Sequence, residues 1–84
     1  MKIKIGIKNC SQEKMSINKE PEALEAFIET NDMIDVETNE QEDNILINIG
    51  KKEDGTIYVQ IWDAQNTQYI MYHKGKDMFE EYFE

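Results

Sequence analysis

Three times along this chain, β-branched residues fall at every second position: Ile3, Ile5 and Ile7; Ile45, Ile47 and Ile49; Ile57, Val59 and Ile61. Side chains of a strand point alternately to its two faces, so a period of two marks a strand with one face buried and the other wet. The intervening residues agree. Lys2, Lys4 and Lys8 oppose the first row, Leu46 the second, and Tyr58, Gln60 and Trp62 the third. A large part of the chain is thereby committed to sheet.

Weaker versions of the pattern extend this reading. Met33 to Thr38 is expected as a short strand with Ile34 and Val36 inward. Thr67 to His73 is expected as a strand with Tyr69, Met71 and His73 on one face, and Ile70 and Tyr72 on the other. Lys51 to Gly55 reads as a hairpin loop on its Asp54-Gly55 dipeptide. Ile45 to His73 thus reads as a three-stranded antiparallel meander, with turns over 39–44 and 64–66. Asn9 to Ser16 reads as a polar connection, after which Met15 and Ile17 can add a short strand.

Two segments carry helical spacing instead. Over Pro21 to Asn31, Leu24, Phe27 and Ile28 stand at i, i+3 and i+4 beside Ala23. Asn18 is the expected N-cap, and Pro21 is tolerated in a first turn. Over Asp77 to Glu84, Met78, Phe79, Tyr82 and Phe83 oppose Asp77, Glu80, Glu81 and Glu84, a two-turn helix that must dock to persist. The expected fold is therefore α+β: an antiparallel sheet of four to five strands, one amphipathic helix after the first strand, and a short C-terminal helix. At 84 residues the chain has room for one core, and so for a single domain.

The lone cysteine, Cys10, excludes an internal disulfide and is expected as a reduced, partly buried thiol. Met1-Lys2-Ile3-Lys4 lacks the apolar run of a signal peptide, and no stretch approaches the ~20 apolar residues of a membrane span. Residence in the cytoplasm of a host bacterial cell, away from membranes, is expected. All nine basic residues are lysine, and the net charge is −9. Without the guanidinium forks that grip guanine edges and phosphates, direct nucleic-acid binding is not expected.

The charge is segregated. Residues 1–19 sum to +4, residues 20–43 hold ten acids and no lysine, and residues 44–84 sum to −3. On a helix, Glu25 and Glu29 stand ~6 Å apart; on a strand, Asp35 and Glu37 stand ~7 Å apart. Rows of carboxylates at such spacings resemble the phosphates of a nucleic-acid strand. Ordinary solvated surface carries similar runs, and salt screens them over ~8 Å.

Signs of chemistry are sparse. His73, the single histidine, has no acid beside it in a motif. Ser11 and Ser16 lie in no nucleophile elbow, and no phosphate loop, dinucleotide fingerprint, CxxC, HExxH or EF-hand pattern occurs. Neither catalytic residues, nor a metal, nor a cofactor are expected. Tyr58 and Trp62 share an outward strand face. They become core if the terminal helix covers that face, and an exposed binding patch if it does not; cover is expected.

In length, acidity and lack of catalytic signature, the chain resembles the small acidic inhibitors that phages and other mobile elements raise against bacterial defence nucleases, of the anti-CRISPR and anti-restriction kinds. That resemblance implies a non-enzymatic DNA mimic that occludes the basic groove of a nuclease or CRISPR effector. Glu20, Glu22, Glu25, Glu29, Asp32, Asp35 and Glu37 are the expected electrostatic contact, with Tyr58 and Trp62 as aromatic partners. The alternatives are an immunity protein or antitoxin that neutralises a basic toxin, and a small phage or plasmid structural or regulatory protein whose acidity is incidental.

Overall fold

The computed structural model describes residues 3–20, 22–38, 45–63 and 69–80. They form eight strands: β1 (Ile3–Lys8), β2 (Met15–Glu20), β3 (Leu24–Ile28), β4 (Met33–Thr38), β5 (Ile45–Lys51), β6 (Ile57–Asp63), β7 (Tyr69–His73) and the two-residue β8 (Lys76–Asp77). Two four-stranded sheets result. The first has the order β1-β4-β7-β8 and the second β3-β2-β6-β5. Every neighbouring pair is antiparallel except β2 and β6, which run parallel at the centre of the second sheet.

The chain weaves between the layers. β1 lies in the first sheet, the β2–β3 hairpin in the second, β4 in the first, the β5–β6 hairpin in the second, and β7–β8 in the first. The alternating rows face inward and merge into one core. Ile34, Val36, Tyr69 and Met71 come from the first sheet, and Met15, Ile17, Ile28, Val59 and Ile61 from the second. Phe79, which follows β8, is fully buried among them. Burying a side chain of this size contributes roughly 1.5–3 kcal/mol.

The α+β expectation is overturned, since no helix occurs among the described residues. Over the first predicted helix, Leu24, Ala26 and Ile28 turn inward as a strand, while Phe27 turns out. The i, i+3, i+4 spacing of Leu24, Phe27 and Ile28 was coincident with this alternation, and pairing with β2 from Met15↔Ile28 to Lys19↔Leu24 prevails over helix propensity. Asn18 is no N-cap but a β2 residue opposite Glu25. At the other end, Lys76 and Asp77 form β8, and a turn carries Phe79 inward, with the Asp77 carboxylate accepting the Phe79 N–H at 3.0 Å; residues 81–84 of that predicted helix lie outside the described set, as do the turns expected over 39–44 and 64–66. The three-stranded meander is corrected too: β5 and β6 form the predicted hairpin, but β7 crosses to pair with β4.

Turn chemistry is met where the sequence signals it. In the β5–β6 loop the Gly55 N–H donates to the Lys52 carbonyl at 2.9 Å, and Gly55 takes φ +92°, a conformation that favours glycine. The β7–β8 turn places Lys74 (φ 54°) and Gly75 (φ 81°) at its two central positions, the positive-φ pair of a type I′ hairpin. Lysine is a poor first residue there. Lys74→Asn is expected to raise stability by about 0.5–1 kcal/mol in urea denaturation, because asparagine tolerates the left-handed region better.

Asn9 is 1% exposed, and its groups are fully engaged. Its Nδ2 donates to the carbonyls of Glu13 (2.8 Å) and Ile28 (3.1 Å), and its Oδ1 accepts from the Ser11 N–H (2.9 Å) and hydroxyl (2.7 Å). Its backbone N–H donates to Asp32 O, and its carbonyl accepts from the Asn31 N–H. One residue thus joins the end of β1 to the β3–β4 loop. Asn9→Ala strands the Ile28 carbonyl in the interior and is expected to cost about 2–3 kcal/mol, read as a lower urea midpoint at unchanged slope.

Candidate functional site

Cross-strand partners share a face, so the register of the second sheet assigns its outer surface row by row. One row runs Phe27, Ser16, Tyr58, Gly50. The next runs Glu25, Asn18, Gln60, Asn48, and the third Glu20, Trp62, Leu46.

The first row is partly closed, although Phe27 at its end is 44% exposed. Ser16 is fully buried although it points outward; its hydroxyl donates to Glu25 Oε2 (2.5 Å) and accepts from Asn18 Nδ2 (3.0 Å). From the β5–β6 loop, the Lys52 ammonium spans the sheet to Glu25 at 2.6 Å and stands 5.7 Å from the centre of the Phe27 ring, where Lys14 lies at 4.8 Å. Tyr58 lies flat over Gly50, and a Cβ built on that glycine would stand 2.6 Å from the Tyr58 hydroxyl oxygen. Glycine at position 50 is what lets the ring settle on the neighbouring strand.

The other half of this face is open. Leu46 is 54% exposed, Asn48 is exposed, and Trp62 and Gln60 are partly exposed. Phe79 packs inside the sandwich, and residues 81–84 of the terminal helix expected to cover this face lie outside the described residues. The result is a patch with Trp62 and Leu46 at one end, an amide pair in the middle, Tyr58 beyond, and Glu20 at the rim.

Of the nine sequence-predicted contact residues, Glu20, Glu25, Tyr58 and Trp62 share this surface. Glu22 stands in the β2–β3 turn, 3.5 Å from Lys19 Nζ. Glu29 and Asp32 belong to the β3–β4 loop. Asp35 and Glu37 point from β4 to the outer face of the first sheet, on the opposite side of the sandwich. Among these acids, Glu22 meets Lys19, Glu25 meets Lys52 and Asp35 meets Lys4 at 3.9 Å, while Asp32 is hydrogen-bonded to His73 at 2.5 Å. The acidic segment therefore does not form one row.

The Asp32–His73 pair went unseen in the sequence because 41 residues separate its members. It borders a cleft of ≈ 440 Å³ lined by Ala26, Phe27, His73, Lys74, Lys76, Asp77 and Met78, in which no hydroxyl or thiol nucleophile takes part. Cys10 is exposed, not partly buried as expected. Among the described residues, no three histidine, cysteine or carboxylate side chains gather as a metal site, and no helix is long and apolar enough to cross a membrane.

The Lys52 and Ser16 hydrogen bonds hold the Glu25 carboxyl below its ordinary pKa, and the His73 hydrogen bond does the same for Asp32. A carboxylate whose folded pKa is depressed adds stability above its unfolded pKa, here roughly pH 4, and loses it as pH falls. Urea stability should thus decline on acidification from about pH 5 to pH 2, and the decline should be shallower in Asp32→Asn and Glu25→Gln.

Compared with protein-family models, curated proteins and solved structures, the chain matches none. Its functional reading rests on the surface just described.

Proposed function

We propose that this chain is a non-enzymatic binding protein that docks a basic protein partner through the outer face of β3-β2-β6-β5, in the manner of an immunity protein or other small inhibitor. The observation that carries the reading is the open half of that face. Leu46 stands exposed and Trp62 partly exposed on the β5–β6 hairpin, beside the Gln60 and Asn48 amides. Aromatic anchors on a rigid support supply most of the binding energy of protein interfaces, while amides satisfy the polar rim.

The charge has a different task. At −9, the molecule attracts cationic surfaces from a distance and speeds encounter, and short-range packing on Trp62 then sets the dissociation rate. Phosphate mimicry in a nuclease or CRISPR-effector groove requires carboxylates in a row on one surface. Division of Glu20 and Glu25 from Asp35 and Glu37 between opposite faces favours protein recognition over that reading.

Affinity capture from host extract tests this, using the wild type, Trp62→Ala and Asp35→Lys. A basic protein held by the wild type and Asp35→Lys, but released by Trp62→Ala, is the expected outcome, with duplex DNA failing to compete. Retention by Trp62→Ala together with loss in Asp35→Lys, or displacement by DNA, would overturn the proposal and return the weight to the acidic residues of β4.

A further inference from the structure

The four strands at the sheet edges are not alike. β1 alternates Lys4 and Lys8 along its exposed face. β8 is two residues long. β3 is five residues long, and lysines flank its outward side chains, Lys52 at Glu25 and Lys14 at Phe27, which stays 44% exposed. Lysine, shortness and cover are the usual protections of an edge against further strand pairing. Among the described residues β5 has only a terminal lysine, Lys51, and neither shortness nor cover. It is seven residues long, and no charge or proline interrupts Ile45 to Gly50. Leu46 is 54% exposed, and Ile49, on the core side of the sheet, is 73% exposed.

We propose that β5 pairs antiparallel with β5 of a second copy, joining the two second-layer sheets into one of eight strands. A two-fold axis normal to the sheet keeps the inner and outer faces in register, and an axis at Asn48 sets residue 49 beside residue 47 and residue 50 beside residue 46. Ile49 then stands beside Ile47 of the second copy, in a row running Val59, Ile49, Ile47, Ile61. Leu46 stands beside Gly50 of the second copy, the position over which that copy's Tyr58 ring lies, so Leu46 meets the ring. Asn48 meets its own counterpart, flanked on both sides by Gln60.

The charges select the same occupant. A strand with six consecutive uncharged residues offers no countercharge along its edge to a basic partner, yet it is where two chains of net −9 can approach with least repulsion. The joined sheet also places the two Trp62–Leu46 patches on one continuous surface, a consequence independent of whether that surface binds the proposed basic protein.

Sedimentation velocity up to about 500 μM is the first measurement, because seven-residue strand pairs fall among small, weak interfaces. A concentration-dependent dimer is expected, weakened at least about tenfold by Ile49→Lys or Ile49→Glu, each substitution entering the interface twice. Both replace an exposed side chain, and their thermal melts should match the wild type. In a Cys10→Ser background, Asn48→Cys should give covalent dimers with a short bis-maleimide, while Lys4→Cys, on the far sheet, should not. A wild type that stays monomeric, a dimer indifferent to both Ile49 variants, or failure to cross-link at position 48 overturns the proposal. So does a monomer whose captured basic protein is lost in Ile49→Lys, which would assign the edge to that protein's strand. Failure of self-association leaves the Trp62→Ala capture result standing, and the reverse.

Discussion

Two buried polar side chains hold the sheets together at opposite ends of β2. At its start, the Asn9 carboxamide ties the β1–β2 connection to the end of β3, and the Asn9 backbone ties it to the approach to β4. At its end, the Tyr69 hydroxyl of the first sheet lies 2.8 Å from the Ile61 carbonyl and 3.0 Å from that of Glu20, both in the second. Apolar packing between sheets is non-directional and would tolerate sliding. These hydrogen bonds do not, because a shift strands carbonyls in a medium where an unmade hydrogen bond costs about 1–3 kcal/mol. The outer face of the second sheet inherits its rigidity from this arrangement.

The weave between layers has two further consequences. Each sheet is assembled from segments distant in sequence, β2 meeting β6 and β4 meeting β7. Loop closure must precede most of the rewarding contacts, which favours slow folding. The same weave disperses the acidic segment. The described acids from Glu20 to Glu37 run from the second sheet through a loop into the first, so a run that is continuous along the chain is carried to both outer faces and met by Lys4, Lys19, Lys52 and His73. Segregated charge in sequence becomes distributed charge in space.

Much of the strand content was legible in the residues. β1, β4, β5, β6 and β7 follow their period-two rows, with Val59, Ile61, Ile34 and Val36 buried as the alternation requires. β3 was not, because apolar residues at 24, 26, 27 and 28 satisfy both periods, and Glu-Ala-Leu-Glu-Ala is a strong helix former until β2 lies alongside it. The candidate site was half legible. Tyr58 and Trp62 were placed on an outward face, but their neighbours Leu46 and Asn48 follow from the β5–β6 register, and the burial of Ser16 under Lys52 follows from a contact across the whole sheet.

Local chemistry was enough to dictate strands with one wet face, a glycine turn at Gly55 and a strongly negative surface, since each depends on a residue and its near neighbours. Contacts across tens of residues decided the rest: the division into two sheets, the parallel β2–β6 pair, the Asp32–His73 pair, the opposing directions of the acids and the bare edge of β5. Alternation says which side of a strand is apolar. It is silent on which strand lies next to it, because that choice belongs to the packing of the whole core.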